Sequence, residues 1–150
     1  MRAVKNQFKL DVEVKTLRTT VPFSLSQIKG LIQAVLKKER IRAAHLSVLL
    51  VSDPFIRRLN KNFLSKDSPT DVLSFDLHTG KFRRKGLTGD IVVSVDAARL
   101  LSRTLKIPLK EEIGRYIIHG ILHLTGYDDT TPVEKKSMWK RQEKLLKECL

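Results

Sequence analysis

The sequence predicts an α/β (α+β) protein with one domain: a four-stranded mixed sheet packed with about five helices. The chain has 150 residues, close to the usual size of one domain. Apolar and charged residues make up 41% and 30% of it, as in globular proteins. Strand-like and helix-like patterns follow the order β-α-β-α-β-β-α-α-α, with no linker or repeat to divide residues 1–150.

The first half of the chain alternates strands with helices. Residues 8–14 alternate apolar and polar side chains, which indicates a half-buried strand, and residues 46–51 form a short apolar run typical of a buried strand. Residues 24–27 fit a capping box, and apolar residues at helical spacing follow it. Asp53 and Pro54 predict the N-cap and the first position of a second helix.

Two more strands and a helix come next. Residues 72–75 and 91–95 predict the third and fourth strands. Residues 78–89 between them are polar, basic and punctuated by glycine, which predicts a loop. Asp96 predicts the cap of a helix that ends near Leu105.

Two helices complete the chain. Pro108 predicts the start of a helix that ends before Gly126, because glycine is a favoured stop signal. Thr131 predicts the cap of a final helix that runs to the C-terminus. We expect Trp139 to be the core anchor of this last helix, with a platform for base stacking as the alternative, and most of the helix's basic residues to form a solvated face.

The charge balance indicates a polyanionic partner. Lysine and arginine number 29 against 16 aspartates and glutamates, which gives a net charge of +13. Such an excess favours nucleic acid or an anionic membrane surface. The alternative is a charge-rich surface of the kind found in heat-stable proteins. That alternative would account for the large number of charged residues but not for the excess of positive ones.

Composition also bears on location. No apolar run approaches the roughly 20 residues that a membrane span requires. The first residues lack the apolar segment of a secretory signal. The one cysteine, Cys149, supports no disulfide framework and suits a reducing compartment. We therefore expect a cytoplasmic protein.

The motif with the clearest chemistry lies in the helix predicted before Gly126. His119 and His123 are four residues apart, which places both imidazoles on one helix face. Two neutral imidazoles that face one point can bind a zinc ion at about 2.0–2.1 Å each. The alternative is a pair of core histidines hydrogen-bonded to the backbone, and spacing alone does not decide between these two interpretations.

A polar segment after this helix can supply a third ligand. Gly126 can turn the chain, and either Asp128 or Asp129 could then return toward the imidazoles. We favour Asp129, although spacing barely separates the two. Three protein ligands leave one position of the ion open, as in catalytic zinc sites. Gly120 stands where His-Glu-x-x-His metalloproteases carry their general base, so peptide hydrolysis by that route is not expected.

Three ordered blocks carry a family resemblance. Residues 119–129 read His-Gly-Ile-Leu-His-Leu-Thr-Gly-Tyr-Asp-Asp, which resembles the signature His-Gly-x-Leu-His-Leu-x-Gly-Tyr-Asp-His of the YbeY family of bacterial endoribonucleases. Leu59-Asn60, Lys66-Asp67 and residues 69–75, which read Pro-Thr-Asp-Val-Leu-Ser-Phe, are similar to the family's central block. Residues 89–94, Gly-Asp-Ile-Val-Val-Ser, are similar to its glycine-aspartate strand.

The resemblance implies a mixed α/β fold and a zinc-dependent endoribonuclease specific for single-stranded RNA. It further implies maturation of the 3′ end of small-subunit (16S) ribosomal RNA and ribosome quality control, with rRNA and the ribosome as partners. One zinc ion per chain would be held by the three signature positions, of which His119 and His123 match directly. The third position, a histidine in the family, is Asp129 here, and aspartate is a competent zinc ligand.

Basic residues predict where RNA is held. The family usually has an arginine at the position of Leu64, and Arg57 or Arg58 could compensate for it. In the predicted loop, four basic residues surround Phe82, which suits single-stranded RNA because cations contact phosphates and aromatic rings stack on bases. A solvated loop, with a packing role for Phe82, is the alternative. The predicted RNA-binding residues are Arg57, Arg58, Lys66, Lys81, Arg83, Arg84 and Lys85.

We therefore expect residues 1–150 to form one metal-dependent endoribonuclease domain that hydrolyses phosphodiesters. His119 and His123 would be catalytic through the metal ion, Asp128 is the candidate proton acceptor, and Lys66 could neutralise phosphate charge. Two other classes remain open. A zinc site with four protein ligands would favour a non-catalytic, zinc-containing ribosome- or rRNA-binding protein. A metallohydrolase acting on peptides or small molecules is the other, and Gly120 argues against it.

Overall fold

The computed structural model describes residues 7–65, 70–77 and 86–150, and it confirms the predicted mixed α/β fold. Its four strands and five helices follow the predicted order. They are β1 (Lys9–Leu17), α1 (Leu25–Lys38), β2 (Ala43–Val51), α2 (Asp53–Leu64), β3 (Val72–Asp76), β4 (Leu87–Ser94), α3 (Val95–Leu105), α4 (Leu109–Leu124) and α5 (Pro132–Cys149).

The strands form one mixed sheet in the order β1-β2-β4-β3. β1, β2 and β4 are parallel, and β3 is an antiparallel strand beside β4. The register places Val12 opposite Leu46 and Leu46 opposite Gly89. Parallel neighbours need a crossover connection, which α1 supplies between β1 and β2.

The two faces of the sheet carry different layers. One face holds the main core, in which Leu46, Val48 and Ile91 pack with buried residues of α1, α4 and α5. The other face carries a smaller cluster under α2, formed by Val51 and Val92 together with Leu73 and Ile56. Alternating side chains along each strand produce this division, because successive residues point to opposite faces. The histidine-bearing helix α4 and the arginine-bearing helix α2 therefore lie on opposite sides of the sheet.

Strand β4 begins at Leu87, so the prediction that the loop extends through residue 89 was wrong. β4 is a central strand that pairs with β2 on one side and β3 on the other, and these long-range partners hold its polar start in place. Gly89 lies in this stretch under the end of α4. A Cβ atom there would lie 2.8 Å from Leu124 Cδ1 and 2.9 Å from the Phe75 carbonyl oxygen, so the close approach requires glycine.

The caps of α2 and α3 also differ from the prediction. Ser52 and Ser94 are the N-cap residues, instead of Asp53 and Asp96. The Ser94 hydroxyl accepts from the Ala97 N–H and donates to the Asp53 carboxylate. The Asp96 carboxylate accepts from the Asp53 N–H at 2.7 Å. The two aspartates thus tie the starts of two helices together, a role that no local pattern reveals.

Helix α5 packs with Met138, Gln142, Leu145 and Leu146 buried. The Thr131 hydroxyl accepts from the Glu134 N–H at 3.2 Å, which confirms the predicted cap. The prediction that Trp139 anchors this helix was wrong, because its side chain is 58% exposed. One residue along a helix is a rotation of about 100°, so burial of Met138 and Gln142 turns Trp139 outward. No helix in the described part of the chain is long and apolar enough to span a membrane.

Candidate metal centre

Helix α4 presents two imidazoles side by side. His119 and His123 lie one turn apart, with ring centroids separated by 4.7 Å and planes at 80°. Their Nε2 atoms approach to 3.1 Å. The rest of the helix is held firmly, since Ile117, Ile118 and Ile121 are fully buried in the main core. The histidine pair is therefore fixed to a rigid element.

Gly120, between the two histidines, allows α4 to lie close to the sheet. A Cβ atom at this position would meet Ser74 Oγ at 2.9 Å and Ile91 Cγ2 at 3.0 Å. Position 120 consequently faces the sheet. This placement supports the interpretation that the protease-type general base has no counterpart here.

The turn after α4 is a Schellman motif, as the predicted glycine stop requires. Gly126 has a φ of +107°, the Gly126 N–H donates to the His123 carbonyl at 3.2 Å, and the Tyr127 N–H donates to the Leu122 carbonyl at 3.0 Å. The chain then reverses, and Asp129 returns to the imidazoles. Its Oδ2 atom lies 3.6 Å from His119 Nε2 and 3.5 Å from His123 Nε2.

The structure distinguishes the two aspartates that the sequence left open. Asp129 forms a group with His119 and His123 that could hold a metal ion. Asp128 is exposed, and its Oδ1 accepts from the Asp129 N–H at 2.8 Å. Asp128 thus lies beside the group without contributing to it.

Hydrogen bonds on the far side of each ring set the tautomers. His119 Nδ1 faces Gln142 Oε1 at 2.9 Å, and His123 Nδ1 faces the Tyr127 carbonyl at 3.2 Å. The Gln142 amide is oriented by its own Nε2, which donates to Glu143 at 3.3 Å. Both ring contacts are to acceptors, so in the neutral rings Nδ1 carries the proton and Nε2 carries the lone pair.

The donor set therefore fits a cation. Two Nε2 lone pairs and an Asp129 carboxylate oxygen point into one space, and such groups repel one another unless positive charge lies among them. Ligands at about 2.0–2.1 Å around a tetrahedral zinc ion lie about 3.3–3.4 Å apart. The three observed separations, 3.1, 3.5 and 3.6 Å, bracket that value. Imidazole and carboxylate groups are ordinary ligands of Zn²⁺.

A polar network extends from the histidines into the protein. Arg115 makes a bidentate contact with Glu143 at 2.7 and 3.2 Å and also binds Glu112, which is 1% exposed. Burial alone would raise the pKa of Glu143, but hydrogen bonds from Arg115 and Gln142 lower it below its ordinary value. Burial, followed by the charge of Glu112, raises the pKa of the Tyr116 phenol. Through Glu143, this network fixes the amide that orients His119.

We expect Gln142→Met to weaken zinc binding by about 10- to 100-fold, because outer-sphere partners of metal-ligating histidines have effects of this size. Methionine fills a similar volume but offers His119 no strong acceptor. A competition titration with a chromophoric chelator measures the affinity. Gln142→Glu keeps an acceptor oxygen and should recover most of it, whereas Gln27→Met, at an exposed position on α1, should change nothing. An unchanged affinity in Gln142→Met would contradict the orienting role.

Comparison with known proteins identifies the family. A family model described as Endoribonuclease YbeY matches residues 11–150. The chain belongs to the YbeY family. An Endoribonuclease YbeY from Treponema denticola is 39% identical over 124 residues, which cover 80% of each chain. One from Syntrophus aciditrophicus is 32% identical over 149 residues, covering 97% of this chain and 93% of that protein.

A solved structure agrees with this assignment. The solution structure of a Thermotoga maritima protein matches with a TM-score of 0.64 and 28% identity, covering 92% of this chain and 88% of that one. YbeY membership places the chain among endoribonucleases, which are hydrolases of RNA phosphodiester bonds. The resemblance drawn from the three sequence blocks is thereby confirmed.

The RNA-binding residues predicted for this member of the YbeY family fall into two groups. Arg57 and Arg58 are exposed on α2, across the sheet from α4. The Arg58 guanidinium lies 5.8 Å from the Phe55 ring centroid. Leu64, at the position of the usual family arginine, is 50% exposed at the end of α2. The remaining predicted residues lie outside the described ranges: Lys66, Lys81, Arg83, Arg84 and Lys85.

Sequence analysis missed Gln142 and Glu112, and a signal for both was available. Gln142 follows Met138 by four residues and so falls within the buried stripe of α5. Glu112 interrupts the apolar face of α4 in the same way. A polar residue at a core position of an amphipathic helix needs a buried partner, because unpaired burial is costly. Here the partner of Gln142 is His119 and that of Glu112 is Arg115.

Proposed function

We propose that this protein is a zinc-dependent endoribonuclease specific for single-stranded RNA, which matures the 3′ end of 16S rRNA and acts in ribosome quality control. The observation that carries the proposal is the convergence of three lone-pair donors with zinc-like spacing in a YbeY-family chain. Among the described residues, the group has three members. Three protein ligands and an open fourth position characterise catalytic zinc sites, and four characterise structural ones.

The residues of the chain take distinct roles in this proposal. His119 and His123 bind the ion through Nε2, and Asp129 is the third ligand. The ion, when bound, supplies Lewis-acid polarisation of a phosphoryl oxygen and acidifies water. Asp128, exposed beside this centre, accepts a proton from the attacking water. The basic residues hold phosphates: Arg57, Arg58, Lys66, Lys81, Arg83, Arg84 and Lys85.

Replacing each of the two aspartates with alanine, one at a time, distinguishes the residue that binds the metal from the residue that accepts the proton. Asp129→Ala should lose zinc and cleavage together. Asp128→Ala should keep one zinc per chain and lose about 10²- to 10⁴-fold in cleavage rate, the usual contribution of a general base. Zinc content and single-turnover cleavage of a labelled RNA are measured on both variants. Retention of zinc by Asp129→Ala together with its loss from Asp128→Ala would reverse the assignment.

Two observations bear on the rival functions. A non-catalytic protein with structural zinc would be expected to close the site with a fourth protein ligand, and the described residues offer three. A peptide hydrolase of the His-Glu-x-x-His type would need a general base at Gly120, where a Cβ atom would already press on Ser74 and Ile91. Both observations favour the endoribonuclease.

The proposal is tested by metal analysis paired with cleavage of defined RNAs. Purified protein should contain zinc and should cut single-stranded RNA while leaving a duplex of the same sequence intact. A precursor of 16S rRNA that extends beyond the mature 3′ end should be shortened to that end. Equal cleavage of single and double strands would exclude the specificity, and an intact precursor beside active cleavage of other RNA would exclude the maturation role.

A further inference from the structure

A cleft of about 540 Å³ opens beside the metal centre, between α3, α4 and α5. His119 and Asp129 line one part of it. Leu101 and Leu105 of α3 contribute an apolar wall, and Trp139 of α5 also borders the cleft. This volume lies within the range of about 300–1,000 Å³ typical of small-ligand sites. The cleft therefore offers a nucleotide-sized space that is continuous with the proposed zinc ligands.

The walls of the cleft expose side chains that proteins usually bury. Trp139 is 58% exposed and Leu105 is 56% exposed. Buried side chains that include Met138 and Gln142 hold helix α5 against the core, so the indole is not needed for this purpose. A large apolar surface that is left open beside a site commonly marks a place for a ligand.

We propose that this cleft holds one nucleobase of a single-stranded RNA, stacked on the indole of Trp139, next to the phosphate at the metal centre. The inference rests on the proposed function and names a subsite within it. Unpaired bases in RNA are recognised by stacking on aromatic side chains, and every base has a π-face to offer. A planar base also matches the apolar walls of Trp139, Leu101 and Leu105.

The charged residues that line the cleft are of both signs: Asp71, Glu112, Arg115, Asp129 and Lys135. The metal centre at one end of the cleft favours RNA over a protein segment as its occupant. Lys135, one turn before Trp139, lies at the cleft and can contact the backbone of the same strand. The chain as a whole carries a net charge of +13. Arg115 and Glu112 also line the cleft, but they pair with each other, and Arg115 binds Glu143 as well. An apolar peptide would offer no group to Lys135 or to the open side of the metal centre, whereas an RNA phosphate suits both.

Fluorescence can report on this contact directly, because Trp139 is the one tryptophan of the chain. Zinc-loaded protein is titrated with a short single-stranded 2′-O-methyl oligoribonucleotide, and gel analysis of the recovered strand checks that it stays intact. We expect binding to quench the indole emission to saturation. By anisotropy of labelled RNA, Trp139→Ala should weaken binding by at least about 5-fold, and Trp139→Phe should recover most of it. Val133→Ala, at an 80% exposed position of the same helix, is the matched control.

A second experiment tests whether a base stacks on Trp139. Oligonucleotides with one abasic residue are scanned along the strand, and one position should weaken binding to the wild-type protein as much as Trp139→Ala does. The two losses should not add, because they remove the same contact. Emission unchanged by bound RNA, with equal affinity of Trp139→Ala, would overturn the subsite and leave the cleft to a protein partner. Failure of the proposed function would look different, since wild-type protein would then neither cleave nor bind single-stranded RNA.

Discussion

Replacing His123 with alanine is expected to remove the bound zinc and to reduce RNA cleavage by more than about 100-fold. The loss should exceed the 10- to 100-fold effects of outer-sphere partners, because a ligand itself is removed. His123 contributes one of three converging donors and is held in its tautomer by the Tyr127 carbonyl. Zinc content by elemental analysis and cleavage of a single-stranded RNA measure the two effects on one sample.

His45→Ala is the matched control for this prediction. His45 is exposed on β2, where its Nδ1 contacts Asp11 at 2.8 Å, and it has no place in the metal-binding group. This variant should keep both zinc and activity. Circular dichroism should show that both variants remain folded, because the His123 side chain is itself 31% exposed. Undiminished cleavage by zinc-free His123→Ala would contradict a catalytic metal.

Substituting valine for Gly120 is expected to lower the free energy of unfolding by about 1–3 kcal/mol, the usual range for overpacking a core. A Cβ atom at this position already approaches Ile91 Cγ2 at 3.0 Å, and the two methyl groups of valine need more room. Helix α4 must then move away from the sheet. Since α4 carries both histidines, zinc affinity should fall as well. Urea unfolding and a zinc titration measure the two losses.

Gly30→Val provides the comparison at a helical glycine without such a neighbour. Gly30 lies on the exposed side of α1, and a Cβ atom there would meet nothing within 4 Å. Valine has a somewhat higher helix propensity than glycine, so the free energy of unfolding should stay the same or rise by up to about 0.5 kcal/mol. If both valine variants were equally stable, the close approach of α4 to the sheet would be wrong.

The histidine pair could be predicted because its information is local. A spacing of four residues fixes His119 and His123 on one face of any helix, and an apolar flank with a glycine stop is enough to identify that helix. The order of strands and helices followed from apolar periodicity for the same reason. Asp129 was harder, since the direction of its side chain depends on a three-dimensional turn that Gly126 permits but does not specify.

Features that depend on residues distant in the sequence could not be predicted from local patterns. Asp53 and Asp96 look like caps in the sequence, yet each bonds across to the other helix. Trp139 is a typical anchor residue by type, but the phase of α5, set by Met138 and Gln142, turns it outward. The start of β4 looked like a loop because its stability comes from strands on both sides. In each case tertiary pairing overrides the local preference.

The roles of the two histidines in this account depend on their surroundings as much as on their spacing. Acceptors at both Nδ1 atoms leave two Nε2 lone pairs facing Asp129, so the group is organised for a cation before any substrate arrives. Gln142 and the ion pairs behind it hold that arrangement from within the protein. The reaction on RNA then depends on the substrate that binds at the open side of this group.

The most direct test of the central claim is reconstitution of the metal-free protein. Zinc is removed with a chelator, and cleavage of a single-stranded RNA is followed while zinc is added back in fractions of one equivalent. We predict that the metal-free protein is inactive and that cleavage rises linearly to a plateau at one zinc per chain. Full cleavage by protein verified to be free of metal, or no cleavage at any zinc occupancy, would contradict the claim.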